Sequence, residues 1–338
     1  MRIPPYRRSW KKGALALAVA GALFLWTVSV AGAEPPWPSD PASPEARQVA
    51  DLYQIVLWIA LAVFAVVEGI LLYSVVRFRR RDETVPAQVH GHTGLEIAWT
   101  AAPAVIVAIL AVLSFQTMFA GGSGRENPLT VEVVGHQWFW EYRYPDEGFV
   151  TATDMVVPTG RAIRLEVTTA DVIHSFWVPR LSGKIDASPG LVNEIWFTVE
   201  EPGTFEGQCA EFCGIGHPYM PVRVIALDQM GYEEWAEAQR AAAAPAQGLA
   251  AEGENLVTGG ACAACHTVRG TAAVGLVGPD LTHFASRSQI GGMLANTPEN
   301  LALWLADPHE QKPGTRMPNM GLTAEEIEAI VAYLKTLE

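Results

Sequence analysis

Hydrophobic positions along this 338-residue chain follow three successive patterns. Near the N-terminus they are nearly continuous. Two runs, Leu52 to Val76 and Glu96 to Phe119, each exceed the ~20 residues that a membrane-crossing helix needs, and they predict a transmembrane hairpin within 34–121. An earlier apolar stretch follows Arg2, Arg7, Arg8, Lys11 and Lys12 and ends in Ala31-Gly32-Ala33, the pattern of a secretory signal over 1–33. From Pro128 to Leu227 the chain changes to short alternating, β-branched and aromatic runs such as "LTVEVVGHQWFWEYRY" and "MPVRVIAL". Glycine and proline turns such as "PTGR" and "EPGT" separate them, which predicts one all-β Greek-key domain over 122–230. "YEEWAEAQR" then reads as a short helix running into an Ala/Pro/Gln linker, 231–250. The remainder, 251–338, ends in a helix. Its last helix is marked by Thr323 and Glu326 as a capping box, with Ile327, Ile330, Val331 and Leu334 on one apolar face.

Charge orients this arrangement. Arg77, Arg79, Arg80 and Arg81 lie between the two apolar runs, so the positive-inside rule puts that loop in the cytoplasm and both later domains outside. The formal net charge of −13 becomes −18 once the five basic residues of the signal are removed, which favours a basic partner and disfavours nucleic acid. Glu96, in "LEIAWTAAP", is an acid at the cytoplasmic start of the second span. It reads either as a solvated boundary residue or as a point of proton uptake.

The chain has only four cysteines, all in two motifs. "CAACH" matches the attachment signature for c-type haem: Cys262 and Cys265 form thioethers to the vinyl groups, and His266 binds the iron. No second ligand pair follows that would support zinc. The second axial ligand is a methionine, which raises the potential. Met317, in the proline-punctuated loop "KPGTRMPNM", is the first choice; Met320 and then Met293 are the alternatives.

"GQCAEFCGIGHPYM" contains the other pair. A disulfide is one reading, but Cys209 and Cys213 beside His217 and Met220 have the spacing of soft ligands for copper. A single electron-transfer copper takes two His, one Cys and a weak Met, so this loop has one thiolate too many. The surplus suggests two coppers bridged by both sulfurs. His174, in "ADVIHSFWVP", is the candidate second histidine, with His136 its competitor inside an aromatic strand, and the Glu211 carbonyl is the remaining weak ligand.

Together "LEIAWTAAP", "GHQWFWEY", "VIHSFWVP" and the copper loop resemble subunit II of the haem-copper cytochrome c oxidases. A cytochrome c domain is fused at the C-terminus, as in the caa(3)-type enzymes. The resemblance covers 34–338. It implies a cupredoxin-like barrel holding the dinuclear copper A centre on His174, Cys209, Glu211, Cys213, His217 and Met220, followed by an all-α class I cytochrome c domain. It further implies magnesium shared with subunit I through the Glu211 side chain, Trp138 as the point where electrons reach copper, and Glu96 at the mouth of a proton pathway. Because the chain carries its own haem, Trp138 would have a lesser role than in unfused relatives.

The implied protein is a two-pass subunit of a bacterial inner membrane, its metal domains on the periplasmic side. It would pass electrons from haem c to copper A and on to subunit I, coupled to proton pumping. Subunit III and an external donor, a cytochrome c or a bc complex, are the other partners. No histidine lies in either apolar run, so oxygen chemistry belongs to subunit I. Other readings of the copper loop are an electron-transfer component of a copper-A nitric or nitrous oxide reductase and a membrane-tethered copper chaperone. The hairpin argues against the soluble nitrous oxide enzyme, and the haem domain is superfluous for a chaperone.

Overall fold

The computed structural model describes residues 40–79, 88, 90–120 and 125–338. The signal reading of 1–33 and Arg80 and Arg81 lie outside them. Helix α1, Pro44–Arg77, starts at a Ser43 cap whose hydroxyl accepts from the Ala46 amide, with proline in the first turn. Helix α2 is Thr93–Ala120. Both present large apolar side chains outward, Trp58 and Phe64 among them, as a lipid-facing surface requires. The chain is a two-pass membrane protein.

Helix α1 begins eight residues before the apolar run at Leu52, because its first turns pack on the β domain. Glu45, Ala46 and Ala50 are buried there. Ser43 Oγ donates to the Leu181 carbonyl at 2.5 Å, while Glu45 pairs with Arg125 and accepts from the Thr198 amide. The anchor is therefore bolted to the domain it carries.

Ten strands follow: β1 Leu129–His136, β2 Phe139–Tyr144, β3 Phe149–Ala152, β4 Asp154–Pro158, β5 Ala162–Thr169, β6 His174–Phe176, β7 Ile185–Ala187, β8 Asn193–Thr198, β9 Gly203–Gln208 and β10 Pro221–Leu227. They form a five-stranded sheet, β3-β2-β1-β5-β8, a three-stranded sheet, β4-β10-β9, and the hairpin β6-β7. The pairs β1–β5 and β4–β10 are parallel, and the cupredoxin-like character of the domain follows from this mixed sandwich. Alternation decides the core: Leu129, Val131 and Val133 of β1, Ile163, Leu165 and Val167 of β5, and Val222, Val224 and Ala226 of β10 all point inward. Tyr144 ties two strands, its hydroxyl donating to the Val156 carbonyl and accepting from the Val156 amide, both at 2.9 Å.

Helix α3, Gln229–Arg240, closes the domain by packing Trp235 against Tyr144 and Phe149. The connection after it departs from the free tether its composition suggests. Ala243 N–H donates to the Arg269 carbonyl, the Ala246 amide to Glu254, and His283 bonds the Ala241 carbonyl, so this stretch is held along the last domain.

That domain is built from α4 (Leu249–Gly259), α5 (Pro298–Ala306), α6 (Pro308–Gln311), α7 (Ala324–Leu334) and the strand pair β11 (Gln289–Ile290) and β12 (Leu294–Ala295). The capping box at Thr323 and Glu326 is formed. Helices α4 and α7 cross so closely that a Cβ on Gly253 would lie 1.9 Å from the Ala329 carbonyl oxygen. Val257, Leu301, Ile330, Tyr333 and Leu334 fill the core around this crossing.

Candidate metal and haem centres

The β sandwich brings the start of β6 and the loop between β9 and β10 to one end. There the donor atoms of His174, Cys209 and Cys213 gather within 4.8 Å of one another. In order, His174 Nδ1 is 3.9 Å from Cys209 Sγ, Cys209 Sγ is 3.8 Å from Cys213 Sγ, and Cys213 Sγ is 3.6 Å from His217 Nδ1. A histidine thus stands at each end of a two-sulfur pair. Met220 Sδ lies 4.0 Å from Cys213 Sγ, and the Glu211 carbonyl is 3.2 Å from Cys209 Sγ while the Glu211 side chain is exposed. His136 is not in the cluster; it stacks on Phe139 at 4.5 Å and faces Glu141.

The electrostatics divide the two thiols. Burial opposes ionisation of Cys209, but His174 and the surrounding backbone reverse the effect and lower its pKa. Burial and the charge on Cys209 together raise that of Cys213. Burial also opposes charge on His174, yet Cys209 on one side and Asp171 on the other raise its pKa. Asp171 was not singled out from the sequence. Its Oδ1 accepts from His174 Nε2 at 2.9 Å, which leaves Nδ1 for the sulfur side, and its Oδ2 accepts from the Gln137 amide. An acid three residues before a ligand histidine was the available signal.

Two clustered thiols with imidazoles at both ends and a thioether beside them make a soft donor set that fits copper. A hard cation such as magnesium would need oxygen ligands instead.

In the last domain Cys262, Cys265, His266 and Met317 line one cavity of about 310 Å³. His266 Nδ1 donates to the Pro279 carbonyl at 2.8 Å, so Nε2 is the ring nitrogen available to iron, and burial lowers the ring's pKa and keeps it neutral. Arg287, also in the lining, is buried with its Nε unpartnered, as a site for an anionic cofactor requires. These residues fit haem. Met317 is half-buried and accepts from Trp304 Nε1 at 3.2 Å; Met320 is exposed at the rim; Met293 sits in the β11–β12 turn and does not line the cavity.

Trp138 lies between the two centres. Its indole N–H donates to the Cys213 carbonyl at 3.1 Å, and its ring lines the haem cavity. A Cβ on Gly216 of the copper loop would be 2.3 Å from this ring, and one on Gly314 of the last domain 3.4 Å from it. Lys312 and Arg316 of that domain bond the Trp138 carbonyl and Gln137. The sequence offered no sign of these contacts, since each partner lies more than 170 residues away. Glu96 stands far from both centres in the chain, in the first turn of α2, accepting from the His92 amide at 3.2 Å.

A hairpin anchor, a cupredoxin-like domain with a two-sulfur, two-imidazole cluster and a helical domain with a haem-attachment motif define a membrane-bound redox protein of two metal domains. Known proteins sharpen the class. Residues 38–117 match the family described as cytochrome c oxidase subunit II, transmembrane domain; 149–227 match its periplasmic domain; and 250–338 match cytochrome c. Cytochrome c oxidase subunit 2 of Alkalihalophilus pseudofirmus is 37% identical over 97% of this chain and 98% of its own length. The subunit of the same name from Bacillus sp. strain PS3 is 34% identical over 77% of this chain and 80% of its own. A crystal structure of the periplasmic domain of subunit II from Bradyrhizobium japonicum is 39% identical, covering 33% of this chain and 93% of that one, with a TM-score of 0.32. The chain belongs to the cytochrome c oxidase subunit II family, with a cytochrome c domain at its C-terminus. Copper and haem are the cofactors these domains imply, and a complex with subunit I follows from the family.

Proposed function

We propose that this chain collects electrons on its own haem and delivers them through a dinuclear copper centre to the oxygen-reducing site of subunit I. When bound, haem c and the copper pair would supply one-electron storage. Cys262 and Cys265 would hold the haem covalently, and His266 and Met317 would bind its iron. Cys209, Cys213, His174 and His217 would hold the copper pair, with Met220 and the Glu211 carbonyl as its weak ligands. The reading rests on one observation above all: Trp138 lines the haem cavity and donates to the carbonyl of Cys213. This position favours a central role for Trp138 over the lesser one expected from the fusion.

The exposed carboxylate of Glu211 is available for a magnesium ion shared with subunit I. Glu96 accepts a proton at the cytoplasmic end of α2 for the coupled pumping, with Arg77 and Arg79 holding that end inside and both metal domains outside. Replacing Glu96 with Ala would slow oxygen turnover and leave copper reduction unchanged; unaltered oxygen consumption returns it to a boundary role. Subunit III and an external cytochrome c or bc complex are the further partners. The electron order is tested by rapid mixing of the purified oxidase with a reduced donor while both centres are followed optically. The haem signal rises first and the copper signal second; copper reduced before the haem, or independently of it, overturns the order.

A further inference from the structure

Lys312 follows α6 and is 3% exposed, an unusual state for a side chain that normally carries its ammonium to water. Its Nζ donates to the Trp138 carbonyl and to the Gly291 carbonyl, each at 2.6 Å. Trp138 belongs to the β1–β2 turn of the copper domain, and Gly291 to the β11–β12 turn of the haem domain. One ammonium therefore joins its own loop, a second turn of the haem domain and the backbone of the tryptophan between the two metal centres.

We propose that Lys312 is a positioning residue that fixes the haem domain on the copper domain in the register that electron transfer through Trp138 needs. The role rests on the haem-to-copper reading above. Stability alone gives no reason for a lysine here. Among the described residues no carboxylate pairs with it, and burial pulls its pKa down to about 7. An apolar side chain of equal length would fill the space without that penalty. An ammonium has three donors, and two are used on main-chain carbonyls. The side chain lines the haem cavity, so the third is left for the group that the cavity would hold.

The neighbouring contacts have a different character. Arg316 bonds Gln137 at 2.5 Å from an exposed position, and Ser288 donates from its amide and hydroxyl to Asp154 at 2.8 and 2.7 Å. These hold the two domains together, but none reaches the Trp138 main chain. Lys312 does, and it sets the distance between that tryptophan and the cavity.

The test uses the purified oxidase carrying Lys312→Met or Lys312→Arg, with haem staining and the copper absorption as controls for assembly. A photoactivated ruthenium reductant loads the haem, and the haem-to-copper step is timed. Lys312→Met slows this step at least about tenfold, as the loss of a buried charged hydrogen bond allows. It also lowers the haem potential, because it removes from the cavity wall a cation that would disfavour the ferric state. Lys312→Arg restores the potential and part of the rate. If Lys312→Met does not assemble, Lys312→Gln, uncharged but able to donate to a carbonyl, is expected to move both readouts in the same directions. An unchanged rate overturns the proposal, and so does a slowed rate with an unchanged potential, which marks a purely structural residue. Wild-type protein without haem-to-copper transfer overturns both this role and the reading beneath it.

Discussion

The copper cluster and the haem cavity both use soft ligands on one chain, yet they are built over opposite ranges of sequence. His174 is 35 residues from Cys209, and the sandwich must fold before the two meet. Cys262, Cys265 and His266 sit within five residues, so the attachment motif needs little more than a local turn, and the fold adds the cavity wall, Met317 included. The first centre is a tertiary assembly. The second is a local motif completed by tertiary structure. Damage to the copper centre should therefore follow the geometry of the sandwich, whereas damage to the haem centre should separate attachment from axial ligation.

The largest expected effect comes from the two sulfurs. Cys209→Ser or Cys213→Ser removes a bridge, abolishes the mixed-valence copper signal and lowers oxygen consumption by about a hundredfold or more, because a hydroxyl is a poor partner for a soft metal. Electron paramagnetic resonance checks this. Hyperfine structure from a single copper in the wild-type centre would break the picture of a bridged pair.

The haem side offers the sharper contrast. Met317→Leu leaves the covalent attachment intact, lowers the haem potential and blocks onward transfer, whereas Met320→Leu changes neither. A redox titration of both variants decides between them. Loss of potential in the Met320 variant alone would move the axial ligand to the exposed rim of the cavity.

The smallest effect lies behind the copper ligands. Asp171→Asn keeps the shape of the contact to His174 but removes the charge, and copper affinity should fall about tenfold with both metals still bound at saturation. Competition with a copper chelator measures it. No change would mean that the Gln137 and Val172 amides, not the carboxylate charge, hold the loop.

Much of this was legible before folding. Two spans, an all-β domain of short strands and a terminal helix follow from period and length, because burial in lipid or in a sandwich imposes its own spacing on apolar residues. Candidate ligands could be named because metal chemistry narrows the residue types to very few, and the fold does gather His174, Cys209 and Cys213. The extension of α1 to Pro44 was not, since Glu45 is an acid, buried only because Arg125 and the Thr198 amide are there to meet it. Nor was the held linker, whose Ala-rich composition carries no sign of the carbonyl and histidine that fix it.

What the sequence by itself determined is therefore the set of parts: the anchor, the sandwich, the haem motif and the candidate soft ligands, all set by local spacing and donor chemistry. Only the tertiary structure decided how the parts face one another. It brought Asp171 behind His174, set Trp138 between the copper loop and the haem cavity, and turned Lys312 inward onto the Trp138 carbonyl. Those relations join residues as many as 174 positions apart. No local pattern encodes them, because they arise from the packing of two domains whose surfaces become neighbours only after each has folded.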